Sequence, residues 1–295
     1  NPDIIQSWMY HSNFFTLFFP KIFYDKIFWN IRHAELNSKI SKKMTILLSI
    51  VCGLFSKVVP KKIVYCSERS IEFHENQHLY SKNKTVLIYN GCSDKTYYPS
   101  KYSRSNFRKT NKINKSDIIL GYAGRYAKQK NIKSLLFAFI KITKMHNNVY
   151  LCMVGKDMNL LNKELTTLIL DLKIENKMFF LGEQKNLLKF YNGIDLLVLT
   201  SHSESFPNVV AEAMLCSTPV LSSNAGCSKK IIKNCGFIMN NNDHPSIYKN
   251  LNRTINFYKY KRKEWMLLKK NSRLQIQKNF SIPNMANTYM KNWIF

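Results

Sequence analysis

Apolar residues along this chain fall in two rhythms. Continuous runs occur at positions 4–5, 27–31, 62–66, 85–89, 118–122, 149–154, 178–181, 196–200 and 219–222. Runs without polar alternation predict strands buried on both faces, as in a parallel sheet. Between many of them, apolar residues recur every three or four positions. The stretch 132–145 sets Leu135, Leu136, Phe139 and Ile142 on one side, and 160–172 and 209–216 are patterned alike. Strands alternating with helices predict an α/β fold with helices on both faces of the sheet. The longest apolar run, 44–55, is interrupted by Thr45, Ser49 and Gly53 and is too short to span a bilayer, so it predicts a buried helix.

The pattern breaks once. Asn90-Gly91 is a turn signal, and 93–116 is polar, basic and nearly free of aliphatics, which predicts an exposed linker or loop. The expected organisation is a partial α/β domain with the linker start at 1–105, a complete one at 106–280, and a C-terminal helix at 281–295. Met285, Tyr289 and Trp293 are four residues apart on that helix, and this face is expected to pack back on the first domain. The chain opens Asn1-Pro2-Asp3 without Met, which is expected of a cut inside a domain. The segment 13–29 is rich in Phe, with Lys21 and Lys26 beside it. It reads either as a core helix leading into a strand or as a helix face touching membrane.

Charge adds a question. Of 295 residues, 45 are Lys or Arg and 18 are Asp or Glu, a net +27. The cations are 37 Lys and 8 Arg in a chain also rich in Asn and Ile, as AT-rich coding produces without selection for a partner. They are spread throughout, with 17 basic and 7 acidic residues in 1–110 and 28 and 11 in 111–295. No Arg-rich arm or nucleic-acid motif appears, so nucleic acid is not the expected partner. Compositional drift and an anionic membrane surface both remain open. The seven cysteines form no Cys-x-x-Cys pair, which suits reduced thiols and a cytoplasmic location, at the inner face of the membrane if the charge is used there. With no Asp-x-Asp and no His/Cys cluster, no metal or cofactor is expected.

Three constellations carry chemistry, all at strand ends. Gly121-Tyr122-Ala123-Gly124-Arg125 is followed by Lys128, Gln129 and Lys130. Glycines admit close backbone approach, and an Arg fork with a Lys point charge suits a diphosphate. The run Ser203-Glu204-Ser205-Phe206-Pro207-Asn208-Val209-Val210-Ala211-Glu212-Ala213-Met214 follows the strand at 196–200. It places Asn208 and Val209 at a helix start, where free amides attract anions, and Glu212 about one turn in, as an acceptor for sugar hydroxyls. Thr218-Pro219 to Gly226 offers a small-residue loop.

In this order the motifs resemble the family 4 retaining glycosyltransferases of GT-B architecture, over nearly the whole chain. The resemblance implies two Rossmann-like domains facing across a cleft, the N-terminal one incomplete because the family's glycine-rich first loop is absent. It implies that Arg125 and Lys130, with Gly124, Asn208 and Val209, hold the diphosphate of a nucleotide sugar. Glu204 would face the donor sugar at the catalytic centre and Glu212 would bind the ribose. It also implies a catalytic His at the end of an acceptor-domain strand: His33 is preferred, and His11 is the second choice. Trp8-Met9-Tyr10-His11, Trp29-Asn30-Ile31-Arg32-His33 and Ile88-Tyr89-Asn90-Gly91 resemble that domain's later strands and the linker start. Two positions depart from the family pattern: Asn131 stands for Gly in a turn, and Ser217 stands for Gly at a helix end.

The expected activity is transfer of a hexosyl or acetylhexosaminyl group from a nucleotide-diphosphate sugar to a saccharide or lipid-linked acceptor in surface polysaccharide synthesis. The alternatives are another GT-B enzyme, such as a nucleotide-sugar epimerase, or a non-catalytic basic binding remnant.

Overall fold

The computed structural model describes residues 1–36 and 41–294; Phe295, the last position of the expected C-terminal helix, lies outside them. The chain forms two compact units, Asn1–Gly91 with Ser203–Pro207 and Ile282–Phe295, and Cys92–His202 with Asn208–Ser281.

The first unit runs β1 (Ile5–Trp8), α1 (Met9–Phe15), β2 (Ile27–Ile31), α2 (Lys43–Phe55), β3 (Lys62–Tyr65), α3 (Glu68–Gln77) and β4 (Thr85–Leu87). The strands pair in the order β1-β2-β3-β4, all parallel. Side chains on a strand alternate between faces. Ile27, Trp29 and Ile31 of β2 therefore join Ile63 and Tyr65 of β3 in one core with Tyr10 and Cys52. Val64 points the other way and meets Ile88, Met285, Tyr289 and Trp293. The last three lie on the C-terminal helix Ile282–Ile294.

The second unit runs α4 (Lys101–Thr110), β5 (Ile118–Ala123), α5 (Ile132–Met145), β6 (Val149–Val154), α6 (Lys163–Leu172), β7 (Met178–Phe180), α7 (Leu188–Gly193), β8 (Leu196–Leu199), α8 (Asn208–Leu215), β9 (Val220–Ser223), α9 (Ser228–Ile232), β10 (Phe237–Met239), α10 (His244–Tyr260) and α11 (Arg262–Asn279). Its strands are parallel in the order β10-β9-β8-β5-β6-β7. β5 and β8 are buried along their whole length, as their uninterrupted apolar runs require. Leu135, Leu136, Phe139 and Ile142 of α5 lie in this core, on the face the spacing assigns them.

Four expectations are corrected. The polar stretch 93–116 is not an exposed linker, because it contains α4. Phe107 is buried against Phe190, and Arg104 and Arg108 reach Asp195 at 2.7 and 3.3 Å. Arg104 Nη1 also donates to the carbonyls of Asn192, Gly193 and Ile194, which the end of α7 leaves unpaired. Residues 92–105, assigned above to the first domain, accordingly belong to the second unit. The run 44–55 is a helix but not a buried one, since Met44, Leu47, Leu54 and Phe55 are exposed. Within 13–29 the helix ends at Phe15 and gives way to 3-10 turns around Pro20, with Phe15, Phe18 and Ile22 exposed. Among the described residues, no helix is long and apolar enough to cross a membrane.

Candidate functional site

In the second sheet β5 has β6 and β7 on one side and β8, β9 and β10 on the other. The connections therefore leave β5 and β8 in opposite directions. The crevice at the carboxyl ends of such a pair is where open α/β sheets bind ligands.

The loop after β5 lies at that edge. The Gly124 and Tyr126 N–H groups donate to the Val154 and Lys156 carbonyls, both at 2.9 Å, lacing the loop to the end of β6. Gly155 permits this approach: its φ is +138°, and a Cβ there would stand 2.1 Å from the Gly124 carbonyl oxygen. Gly155 carries no sequence signal beyond being a glycine directly after a strand run. The loop then makes a 3-10 turn, Lys128–Lys130, and Asn131 takes φ 54° and ψ 39°. Asn tolerates this left-handed conformation better than most residues, so the turn forms without glycine. Arg125 is exposed and Lys130 half-buried.

The loop after β8 is tied to the first. His202 N–H donates to the Gln129 carbonyl at 2.8 Å, and Thr200 Oγ1 donates to the Lys130 carbonyl at 3.1 Å. Asn242, beyond β10, clips both loops. Its Nδ2 donates to the Thr200 and Ser201 carbonyls, and its own carbonyl accepts from Asn131 Nδ2 at 2.6 Å. Asn242 stands in an Asn triplet that carries no sequence signal.

Asn208 and Val209 open α8, which follows β8 and so begins at the same edge; Asn208 is exposed. Glu212 lies further in. Tyr191 OH donates to its Oε2 at 2.7 Å. Burial pushes the Glu212 carboxyl above the ordinary carboxylate range, against the opposing pull of the Tyr191 bond. Its neighbours are acids held neutral. Burial, then the Glu212 charge, pushes the Cys92 thiol and the Tyr97 phenol each up to about 12. A carboxylate among neutral hydroxyl and thiol groups, with one oxygen engaged by a phenol, is suited to accept from ligand hydroxyls. At the end of α8, Ser217 takes φ 55°, while its N–H and that of Thr218 bond the Met214 and Ala213 carbonyls at 3.0 and 2.9 Å. This is the helix-ending arrangement that glycine favours.

The remaining candidates group with the first unit. Glu204 is half-buried in the 203–207 segment. Beside it, Ser205 Oγ lies 3.0 Å from both Cys66 Sγ and Ser67 Oγ. His33 is exposed just past β2; its carbonyl accepts from Ser70 Oγ at 2.5 Å, and its ring lies 5.6 Å from that of Tyr10. His11 is exposed on α1. His74, which the sequence does not single out, is buried in the core. Its Nδ1 must donate to the Ser70 carbonyl at 2.6 Å, so its Nε2 accepts from Tyr10 OH at 2.7 Å. Burial pushes its pKa down to about 3, so it is neutral and structural. Among the described residues, no three His, Cys, Asp or Glu side chains converge as a metal-ligand set.

A family model described as glycosyl transferases group 1 matches residues 103–272, more than half of the chain, from within α4 to within α11. The chain belongs to this family. Among group 1 relatives, N-acetyl-alpha-D-glucosaminyl L-malate synthase of Bacillus anthracis is 29% identical over 161 residues, 54% of this chain and 41% of that protein. The capsular polysaccharide biosynthesis glycosyltransferase CapM of Staphylococcus aureus is 24% identical over 267 residues, 79% of this chain and 65% of CapM. The chain thus spans less than two thirds of the length of either. Among solved structures, sucrose-phosphate synthase from Thermosynechococcus elongatus superposes with a TM-score of 0.81 at 18% identity, over 98% of this chain and 72% of that one. Anabaena HepE, crystallised with UDP and glucose, gives 0.78 at 20% identity over 90% and 70%. These likenesses show the GT-B fold.

Proposed function

We propose that this group 1 protein is a retaining glycosyltransferase. It would move a hexosyl or acetylhexosaminyl group from a nucleotide-diphosphate sugar to a saccharide or lipid-linked acceptor, in surface polysaccharide assembly at the cytoplasmic face of a membrane. The observation that carries the donor half is the Gly124–Lys130 loop, hydrogen-bonded to the loop after β8 at the reversal point of the second sheet. HepE's complex with UDP and glucose and CapM's capsular role support the reading by analogy.

In this reading the bond from the anomeric carbon to the diphosphate oxygen breaks. A bond to an acceptor hydroxyl oxygen forms on the same face, and the hydroxyl proton leaves with the diphosphate or to solvent. Negative charge grows on the leaving diphosphate. Arg125, Lys130, the Gly124 backbone and the first amides of α8, at Asn208 and Val209, stabilise it there, which lowers the barrier more than it tightens the ground state. Glu212 holds the ribose hydroxyls. Glu204 orients the donor sugar, and His33 is the hydrogen-bonding partner on the acceptor side, with His11 the second candidate. The charge on the diphosphate is met by protein cations, so no metal is assigned a role.

Isothermal titration of UDP, GDP and ADP against the chain tests the donor site. At least one should bind, and Arg125→Ala should weaken it about 10- to 100-fold, as expected for a lost hydrogen bond to a charged group. A well-folded chain that binds none of the three nucleotides would refute the reading.

A further inference from the structure

Arg32 is a cation without an anion. It directly follows β2, two positions on from Asn30. Trp8 pairs with Asn30 and Asn30 with Val64, so these side chains share the face of the first sheet that the C-terminal helix covers. Neutral groups from three segments hold the guanidinium. Nη1 donates to Asn90 Oδ1 at 2.5 Å, and Nη2 donates to Asn30 Oδ1 at 2.9 Å and to Tyr289 OH at 2.5 Å. The Trp8 ring lies against it, with the guanidinium carbon 4.7 Å from the ring centre. Among the described residues no Asp or Glu pairs with Arg32. Its charge cannot be shed, because arginine stays protonated in proteins.

Three buried N–H donors in this cluster have no acceptor: Arg32 Nε, Asn30 Nδ2 and Trp293 Nε1. Turning the Asn30 amide would not relieve this, because its oxygen accepts from Arg32 Nη2 and also from Tyr289 OH, the latter at 2.8 Å. Asn30 is 0% exposed, and the Trp293 ring lies 5.2 Å from that of Tyr289. Buried donors are ordinarily paired, so this excess calls for an acceptor. Water fits poorly. It accepts two bonds but has two protons of its own to place, and the unpaired side-chain groups here are all donors. An oxyanion only accepts, and it matches both the unpaired donors and the uncompensated charge.

We propose that Arg32, with Asn30 and Trp8, binds an oxyanion carried by the acceptor saccharide, the carboxylate of a sugar acid or a phosphate ester. The acid group takes the unpaired N–H groups of Arg32 and Asn30. The sugar ring lies against Trp8, which is 49% exposed and offers an apolar platform beside the cation. Trp8, Arg32 and Asn90 stand at or just beyond the carboxyl ends of β1, β2 and β4, the edge at which open α/β sheets take ligands. That the ligand is the acceptor rests on the proposed transfer reaction. That an oxyanion binds here does not, and its test uses no nucleotide.

The test is isothermal titration of the whole chain with glucuronate, glucose 6-phosphate and glucose, which share a sugar ring and differ in the acid group. At least one of the two acids should bind at least about tenfold more tightly than glucose, and the one that binds names the source of the oxyanion. Arg32→Gln and Arg32→Lys should each weaken that acid about 10- to 100-fold, since neither side chain reproduces the guanidinium's planar set of donors. Thermal melting of each variant reads folding separately. Arg125→Ala, on the second unit, should bind the acid as the wild type does. Binding of neither acid, or of glucose equally with both, overturns the proposal and leaves trapped water as the occupant. Acid binding by both Arg32 variants equal to the wild type also overturns it. Loss of acid binding in Arg125→Ala overturns it in favour of the diphosphate site.

Discussion

Replacing Gly155 with Ala tests whether the loop after β5 is the anion cradle. The residue sits at φ +138°, which side-chain-bearing residues rarely adopt, and the new Cβ would stand 2.1 Å from the Gly124 oxygen, 2.5 Å from the Gly124 carbonyl carbon and 3.2 Å from the Arg125 nitrogen. Non-bonded carbon contacts settle near 3.5 Å, so the Gly124-Arg125 backbone must move by roughly 1 Å or β6 must give way. The backbone conformation alone costs about 1–3 kcal/mol of stability. A displacement of about 1 Å in a reacting geometry costs about a hundredfold in rate. The control is Gly182→Ala. It also stands at positive φ, +62°, but its Cβ would meet nothing within 4 Å. It should lower stability by about 1–2 kcal/mol and leave the loop in place. Thermal melting and titration with the nucleotide that the wild type binds separate the two effects. Gly155→Ala should lose at least tenfold in nucleotide affinity, about 1.4 kcal/mol, and Gly182→Ala should lose none. If Gly155→Ala melts early yet binds like the wild type, the Gly124–Arg125 backbone does not hold the diphosphate, and the site lies elsewhere on this sheet.

Asp195→Asn should destabilise the second unit by about 3–5 kcal/mol in chemical denaturation. It leaves Arg108 buried without its carboxylate, and the Ile119 amide loses a charged acceptor. Ser217→Gly should raise stability by about 0.5–1 kcal/mol, the relief of a left-handed residue less the added freedom of the unfolded chain, read as a higher melting temperature. The Glu212 carboxyl titrates above the ordinary carboxylate range, chiefly because it is buried. Its charged form is therefore the destabilised one in the folded protein, and it loses that charge at a higher pH than a free carboxylate does. Nucleotide affinity should fall as pH drops through this raised value, and Glu212→Gln should bind weakly with a flat profile; a wild-type profile unchanged in the variant refutes the ribose role.

Much of the fold is legible from local pattern. β5, β6 and β8 are continuous apolar runs because each is covered on both faces, and α5 shows its inward face by spacing alone. The Gly124–Lys130 and Glu204–Glu212 segments are legible because their residue types are rare in that order. The helix α4 is not legible, because what holds it is distant. Its residues are polar, and its two arginines become structural chiefly through Asp195 and the carbonyls at the end of α7, about ninety positions on. Tyr191 and Asn242 are illegible for the same reason: nothing local marks a phenol as the donor to Glu212 or an amide as the clip between two loops.

The sequence by itself determined the strand and helix rhythm, the group 1 character of the second unit and the cations on the loop after β5, since these rest on neighbours within a few residues. Tertiary structure alone decided which face of α2 meets water. Both faces are apolar enough for a helix, and a carbonyl oxygen of His78, pressed against Gly53, admits only the small-residue side. It also decided that the loops after β5, β6, β8 and β10 meet at one edge, because strand order in a parallel sheet is set by crossovers and packing between distant segments, which no local pattern encodes.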